Sequence, residues 1–304
     1  MNILITGCSG FIGSNISEEL FNDNKIIGLD KEKPKHSCYD KFISMELGVD
    51  SLNILKDEKI DVIIHTAANK HLIWCQENKS DAEKINLHLT LELFEIAKQK
   101  GAKFIFISSD QVFDGKKANS SEFDETFPIN YYGVLKEKVE RTLLSQSYKN
   151  YIICRTALVF GEIPNSQIAF FDSIKNSDRL IVQGFIVQHV KYKLENREKI
   201  ILPKDEFCNP TYVQTLSKQL LSCINNDVCG IFHCCGGERI SRFDFGKKIA
   251  EFYNLDGSYI SNNSSNDLLR PKDVSLSSDY TQSILKMRFP SINEMLQVMS
   301  RNEN

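Results

Sequence analysis

Two residues with acid–base chemistry, Tyr132 and Lys136, stand four positions apart near the start of a predicted helix. Because residues four apart share one face of an α-helix, the phenol and the ammonium can occupy one site. A cation beside a phenol favours the ionised form and lowers the pKa of the phenol. The tyrosine could then donate or accept a proton near neutral pH. Tyr-x-x-x-Lys also occurs by chance on solvated helices, so the elements around the pair must show whether it is a site.

A glycine-rich turn follows the first predicted strand. The strand Asn2–Thr6 precedes the sequence Gly-Cys-Ser-Gly-Phe-Ile-Gly, and a predicted helix over Ser14–Phe21 follows it. Glycines at these positions permit a tight turn, close approach of a pyrophosphate and packing of the helix on the strand. The free N–H groups at the helix N-terminus attract the phosphates. The residues predicted to bind a nicotinamide dinucleotide here are Gly7, Gly10, Phe11, Ile12 and Gly13.

The end of the second predicted strand bears on the choice of cofactor. Asp30 lies there, where a carboxylate accepts hydrogen bonds from both ribose hydroxyls and repels a 2′-phosphate. This position favours NAD(H). Lys31 and Lys33 follow directly and could attract the 2′-phosphate, so NADP(H) stays open as the second cofactor.

Strand-like and helix-like runs alternate along the N-terminal half of the chain. Continuous apolar strands between amphipathic helices are typical of a parallel sheet covered on both faces. We therefore predict an α/β fold, a Rossmann-like doubly wound parallel sheet with a smaller C-terminal substrate lobe. The dinucleotide-binding domain is predicted over 1–161 with returning elements at about 208–240, and the lobe over 162–207 and 241–304. The other predicted strands are Lys25–Asp30, Asp61–Thr66, Lys103–Ser108, Tyr151–Arg155 and Gly230–Cys235, and the other predicted helices are Leu87–Lys100, Tyr132–Ser147, Phe185–Leu194, 214–225 and 241–254.

The composition limits the classes of partner. An apolar content of 41% and a formal net charge of −3 fit a globular protein and give no reason to expect a nucleic acid or a membrane. The N-terminus enters a strand without an export signal, and no apolar run approaches the ~20 residues that cross a bilayer. We predict a cytoplasmic protein with nine reduced cysteines. Adjacent Cys234 and Cys235 rarely chelate one ion, so no metal is predicted.

These motifs together resemble the extended short-chain dehydrogenases/reductases that act on nucleotide sugars. The GxxGxxG spacing and the Tyr-x-x-x-Lys motif, with Asn130 before it, belong to that superfamily. Within it, the chain more closely resembles the dTDP-4-dehydrorhamnose reductase family. Four stretches carry this closer resemblance: 108–115, 155–161, 205–213 and 270–276.

The resemblance implies a role for each site residue. Ser109 would hydrogen-bond the substrate carbonyl, and Tyr132 would protonate the carbonyl oxygen. Lys136 would bind the nicotinamide ribose and lower the pKa of Tyr132. A nucleotide sugar is the implied substrate and a homodimer the implied assembly. The further implied cofactor residues are Ala67, Ala68 and Ser108, and the further implied substrate residues are Asp110, Gln111, Thr211 and Arg270, beside Ser109.

The residue after Asp110 separates the reactions that this scaffold performs. Dehydratases of this type carry Asp-Glu, whereas this chain has Gln111, and an amide cannot act as a base. A dehydratase is therefore disfavoured. We expect NAD(P)H-dependent reduction of the 4-keto group of a nucleotide-activated 6-deoxy sugar, in surface-polysaccharide or deoxysugar biosynthesis. A 4-epimerase with retained NAD and a non-catalytic nucleotide-binding regulatory subunit remain as alternatives.

Overall fold

The computed structural model describes residues 1–33, 38–46, 52–163, 168–174 and 184–302. Strands and helices alternate through most of this part of the chain. The strands are β1 (Asn2–Thr6), β2 (Lys25–Asp30), β3 (Lys41–Ser44), β4 (Val62–His65), β5 (Lys103–Ser109), β6 (Tyr151–Thr156), β7 (Val159–Phe160), β8 (Ile200–Pro203), β9 (Phe207–Cys208), β10 (Thr211–Tyr212), β11 (Gly230–His233), β12 (Ile240–Ser241) and β13 (Ile260–Asn263). The helices are α1 (Phe11–Leu20), α2 (Leu72–Glu77), α3 (Lys79–Glu83), α4 (Leu89–Lys100), α5 (Tyr131–Ser145), α6 (Ile168–Ile174), α7 (Ile186–Glu195), α8 (Val213–Asn225), α9 (Arg242–Phe252), α10 (Asp279–Leu285) and α11 (Ile292–Asn302).

Seven strands form one parallel sheet in the order β11-β6-β5-β4-β1-β2-β3. The strand order reverses at β1, which lies between β2 and β4. In open α/β sheets, ligands bind beyond the carboxyl ends of the strands at such a reversal. The predicted α/β fold with a doubly wound parallel sheet is confirmed.

Helices cover both faces of this sheet because successive strand residues point to opposite sides. On one face, Ile3 and Ile5 of β1 pack with Ile16 of α1 and Leu216 of α8. On the other face, Leu4 packs in a cluster with residues of α4, β5 and α5. All seven residues of β5 are buried, which explains why the central strands are continuous apolar runs.

The segments predicted for the smaller lobe contain a second parallel strand pair, β8 with β13, whose residues belong to a further apolar core. Phe160, Phe245 and Met295 lie in this core, with residues of α7 and α9 around them. Strand β11, late in the chain, pairs with β6 at the edge of the main sheet. Helix α10, within 241–304, packs on α8 and β11. Tyr280 of α10 stacks on Phe232 of β11, with ring centroids 6.2 Å apart.

The sequence analysis missed several short elements. Strand β3 extends the sheet at its edge, and its partly exposed residues carry little apolar signal. Helices α2 and α3 also went unpredicted, and a π-helical turn over Lys84–His88 precedes α4. Part of the predicted lobe, 164–167 and 175–183, lies outside the described residues. Within the described ranges, no helix is long and apolar enough to span a bilayer.

Candidate active site

The turn between β1 and α1 has the shape of a phosphate cradle. Gly7 has a positive φ of 70°, which favours glycine. A Cβ on Gly13 would lie 2.2 Å from the Gly7 oxygen, so a side chain there would push the helix off the turn. Gly10 precedes α1 and gives it no side-chain cap, so the first N–H groups of the helix are free to bind an anion. These residues fit the pyrophosphate of a dinucleotide.

Asp30 lies where the sequence placed it, at the carboxyl end of β2. Its Oδ2 accepts a hydrogen bond from the Ser9 N–H at 3.0 Å, and its Oδ1 accepts one from the Lys31 N–H at 2.8 Å. These bonds fix the carboxylate against the glycine-rich turn. A carboxylate held at this edge can accept hydrogen bonds from an adenosine ribose.

The loop after β4 forms the next wall of the cofactor cleft. Ala67 abuts the glycine-rich turn, since a Cβ on Gly7 would lie 2.7 Å from the Ala67 nitrogen. Ala68 follows it and is exposed. Asn86, in the π-helical turn, accepts from the Asn69 N–H and donates to the Asn69 oxygen, both at 2.9 Å. The Asn86 amide therefore holds the loop after β4 in place.

Ser109 and Tyr132 come together where β5 ends and α5 begins. Asn130 caps α5, because its Oδ1 accepts a hydrogen bond from the Gly133 N–H at 2.8 Å. A Cβ on Gly133 would lie 2.1 Å from the Gln111 oxygen, so only glycine allows this close approach. Ser109 and Tyr132 consequently line one cleft, together with Phe11 and Ile12 of the glycine-rich turn.

The electrostatics of the Tyr132 phenol differ from the expectation. Burial and the nearby charge of Asp110 raise the pKa of Tyr132, while a hydrogen bond with Ser109 opposes this rise. The nitrogen of Lys136 lies 5.6 Å from the centre of the Tyr132 ring and donates to the Ile107 oxygen at 2.8 Å. Lys136 is itself buried, which lowers its pKa to about 7. The phenol is therefore neutral, which is the form that donates a proton.

Charged side chains from the lobe line the far side of the cleft. Arg270, predicted from the sequence, lies there and pairs with Asp267 at 3.2 Å. Arg242, at the start of α9, also lines the cleft and pairs with Glu206 at 2.8 Å. Arg242 and Glu206 were not predicted. Glu206 falls in the 205–213 stretch, but the sequence around Arg242 carried no signal that could have identified it.

Two predicted site residues have other roles in the structure. Thr211 is fully buried and does not line the cleft. Its hydroxyl donates to the Asn209 oxygen at 2.9 Å and accepts from the Gly236 N–H at 3.1 Å. It ties two loops together, so its assignment to the substrate is corrected. Ser108 lines the cleft, but its hydroxyl donates to buried Glu140. The Ser108 hydroxyl is therefore engaged in a hydrogen bond within the protein.

Asp110 and Gln111 form the floor between β5 and α5. The Gln111 amide donates to Asp110 Oδ1 at 3.2 Å and accepts from the Asn130 amide at 3.0 Å. Gln111 thus holds Asn130, the capping residue of α5, through a hydrogen bond between the two side-chain amides.

All nine cysteines are free thiols. Among the residues that the structure describes, no cluster of histidine, cysteine and carboxylate side chains is arranged to hold a metal.

Comparison with known proteins agrees with this geometry. The chain matches the family model of the RmlD substrate binding domain over residues 1–303. It is 24% identical to methionine adenosyltransferase 2 subunit beta of Xenopus laevis, over 84% of this chain and 73% of that protein. It is 27% identical to the dTDP-4-dehydrorhamnose reductase of Aggregatibacter actinomycetemcomitans, over 80% of this chain and 76% of that protein.

Among solved structures, the hypothetical dTDP-4-dehydrorhamnose reductase from Sulfolobus tokodaii superposes with a TM-score of 0.80 at 26% identity. The superposition covers 97% of this chain and 99% of that chain. The family match spans nearly the whole sequence, and the fold match is equally complete. The chain therefore belongs to the RmlD substrate binding domain family of the extended short-chain dehydrogenases/reductases, and it is an NAD(P)-dependent oxidoreductase of that type.

Proposed function

We propose that this protein uses NAD(P)H to reduce the 4-keto group of a nucleotide-activated 6-deoxy sugar. The observation that carries the proposal is the meeting of Ser109 and Tyr132 in one cleft beside the glycine-rich turn. At the coarser level, sugar-nucleotide reductases are relatives over most of the chain. The product fits surface-polysaccharide or deoxysugar biosynthesis, and we place the protein in the cytoplasm as a homodimer.

The proton chemistry follows from the state of the Tyr132 phenol. When bound, the nicotinamide cofactor supplies the hydride that reduces the carbonyl carbon. The Ser109 hydroxyl, which donates to Asp110 Oδ1 at 3.0 Å in the structure, turns to donate its single hydrogen to the carbonyl oxygen, and Tyr132 gives its proton to the same oxygen. Since burial and Asp110 keep the phenol protonated, the site is set to donate a proton rather than to remove one. Lys136 lies behind Tyr132 and holds the nicotinamide ribose.

The two arginines of the lobe bind the diphosphate of the substrate. A guanidinium presents its donors in a planar fork that suits phosphate oxygens. Arg242 and Arg270 both line the cleft, and their carboxylate partners, Glu206 and Asp267, orient them. The sugar then lies between these arginines and the Ser109–Tyr132 pair.

Asp30 favours NADH over NADPH in this proposal. Its carboxylate is fixed by two backbone N–H groups and would repel a 2′-phosphate. Lys31 and Lys33 follow it and attract the phosphate, so both cofactors belong in the assay. Metal is not part of the proposed reaction.

The test is cofactor oxidation with a dTDP-linked 4-keto-6-deoxyhexose, with the product analysed by mass spectrometry for the gain of two hydrogens. We expect Tyr132→Phe to lower kcat at least about 100-fold, because a positioned general acid contributes roughly 100- to 10,000-fold. Tyr131→Phe is the matched control. The neighbouring Tyr131 hydroxyl donates to Glu83 at 2.6 Å, outside the cleft, so its loss should change kcat less than about threefold.

Two outcomes would overturn the reductase proposal. An epimerase interconverts two sugars without net oxidation of added cofactor. A regulatory subunit binds the nucleotide without turnover of any 4-keto sugar, and the similarity to methionine adenosyltransferase 2 subunit beta makes this outcome worth testing. Product analysis identifies the first outcome, and tight cofactor binding without product identifies the second.

A further inference from the structure

Helix α5 holds the end of β5 through two buried side chains that lie one helical turn apart. The Lys136 nitrogen donates to the Ile107 oxygen at 2.8 Å. The Glu140 carboxylate accepts a hydrogen bond from the Ser108 hydroxyl. Ser109, the next residue of β5, lines the cleft. The helix therefore fixes the strand at the two residues directly before the serine of the site.

An arginine of β6 fixes the Glu140 carboxylate from its other side. Arg155 donates to both Glu140 oxygens over distances between 2.7 and 3.2 Å, and each side chain is 2% exposed. His233 holds the arginine, because its Nε2 lies 3.4 Å from a guanidinium nitrogen, which can only donate. Its Nδ1 donates to the Ser277 oxygen at 2.7 Å. The negative charge of Glu140 is thus buried and held in one place.

Glu140 is also the anion that acts on Lys136. Lys136 is 3% exposed and forms no ion pair with the residues that the structure describes. Burial lowers the pKa of Lys136 to about 7, and the charge of Glu140 opposes this fall. The other titratable groups around Lys136 are Tyr132 on the same helix, Cys75 of α2 and His65 of β4. Burial keeps all three neutral near pH 7, since it raises the pKa of Tyr132 and of Cys75 and lowers that of His65.

We propose that Glu140 is a positioning residue of the cofactor site, which fixes the end of β5 and supplies the negative charge that keeps Lys136 protonated. The inference rests on the proposed contact of Lys136 with the nicotinamide ribose. Glu140 does not line the cleft, so it acts through its neighbours and not on a ligand. A carboxylate near an ammonium stabilises the charged form of the ammonium. Glu140 should therefore set the pH above which the nicotinamide end of the cofactor is held less tightly.

The test is the pH dependence of NADH binding, measured by fluorescence titration from about pH 5.5 to 9, with ADP as the comparison ligand. ADP lacks the nicotinamide ribose. Wild-type protein should bind NADH about tenfold less tightly once the pH has risen well above 7, where Lys136 loses its proton, because a charged donor makes the stronger hydrogen bond. ADP binding should show no such step. Lys136→Met should abolish the step for NADH.

Charge and packing at Glu140 are separated by two variants. Glu140→Gln combined with Arg155→Met removes both charges, which avoids leaving a buried arginine unpaired. Because Arg155 is not among the charges that act on Lys136, the step should move about one pH unit lower. Glu140→Asp keeps the charge and should leave the step near pH 7. Glu137→Gln is the matched control on α5, since Glu137 accepts from the Thr126 hydroxyl at 2.6 Å and does not line the cleft, and the step should not move.

The pH of the step distinguishes the proposed role from a purely structural one. Weaker NADH binding with an unmoved step in the double variant would overturn the inference, as would the absence of a step in the wild type. An equal shift in Glu137→Gln would also overturn it. The titration needs no sugar. A wild-type protein that shows the step but reduces no 4-keto sugar would therefore refute the proposed reductase and keep the role of Glu140.

Discussion

Lys136 carries a buried charge that should reduce the stability of the fold. The side chain is 3% exposed, and burial lowers its pKa from 10.5 to about 7. Such a shift corresponds to roughly 5 kcal/mol at about 1.36 kcal/mol for each pH unit. The cost is complete below pH 7, where both the folded and the unfolded protein hold the proton. It disappears as the pH rises to 10.5, because the folded protein releases the proton first.

Lys136→Met removes the free-energy cost of the buried lysine charge, and it also removes one hydrogen bond. The Ile107 oxygen, which Lys136 contacts at 2.8 Å, would be left without that partner, a loss of about 1–3 kcal/mol. Near pH 6.5, the variant should therefore be more stable than the wild type by roughly 2–4 kcal/mol. Near pH 10, the wild-type lysine is mostly neutral when folded, and the variant should be less stable by about 1 kcal/mol. Reductase activity should be lost at every pH.

The measurement is urea unfolding at several pH values between about 6.5 and 10, followed by the fluorescence of the single tryptophan, Trp74. Lys138→Met is the matched control on the same helix. Its side chain is 47% exposed and lies 3.5 Å from Glu83, so its removal should change the free energy of unfolding by less than about 0.5 kcal/mol. A stability difference between Lys136→Met and the wild type that stays constant with pH would refute the reasoning.

Two further substitutions test the close contacts around the cleft. Gly133→Ala should lower both the free energy of unfolding, by about 1–3 kcal/mol, and kcat, because the added Cβ would lie 2.1 Å from the Gln111 oxygen. Thermal unfolding measures the first effect, and the turnover rate measures the second. Gly257→Ala, whose Cβ would make contacts no closer than 3.6 Å, should change neither. Asp30→Asn should shift the ratio of the NADPH and NADH dissociation constants by about tenfold or more towards NADPH, since a like-charge contact costs several kcal/mol. Fluorescence titration with each cofactor measures the ratio, and an unchanged ratio would contradict the assigned role of Asp30.

The fold was largely predictable because its determinants are local. The glycines of the first turn and the apolar runs of β1, β4 and β5 each signal their structure within a few residues. Strand β3 is held by pairing with β2, and partly exposed residues such as Phe42 leave little pattern of that pairing. Helix α10 packs on β11 through contacts such as Tyr280 with Phe232, residues far apart in the chain. Such contacts leave no periodic pattern to find.

The residues of the candidate site show the same difference between those with a local sequence signal and those without one. Tyr132 and Ser109 were predicted from motifs whose spacing is fixed by one helix and one strand. Arg242 lines the cleft although it lies far from Ser109 and Tyr132 in the chain, and no local spacing encodes such a meeting. The state of the Tyr132 phenol was also missed, since its pKa depends on burial and on the charge of Asp110, neither of which the spacing to Lys136 reveals. Thr211 was misassigned because a motif position does not reveal which way a hydroxyl points.

The Asn130 side chain connects three parts of the protein. Its oxygen caps the helix of Tyr132, and its nitrogen donates to Gln111 at 3.0 Å and to the Leu269 oxygen at 2.9 Å. Leu269 is the neighbour of Arg270, which lines the cleft. One amide thus ties the first turn of the helix that carries Tyr132 to the segment that carries Arg270, so the two sides of the cleft share a single hydrogen-bonding group.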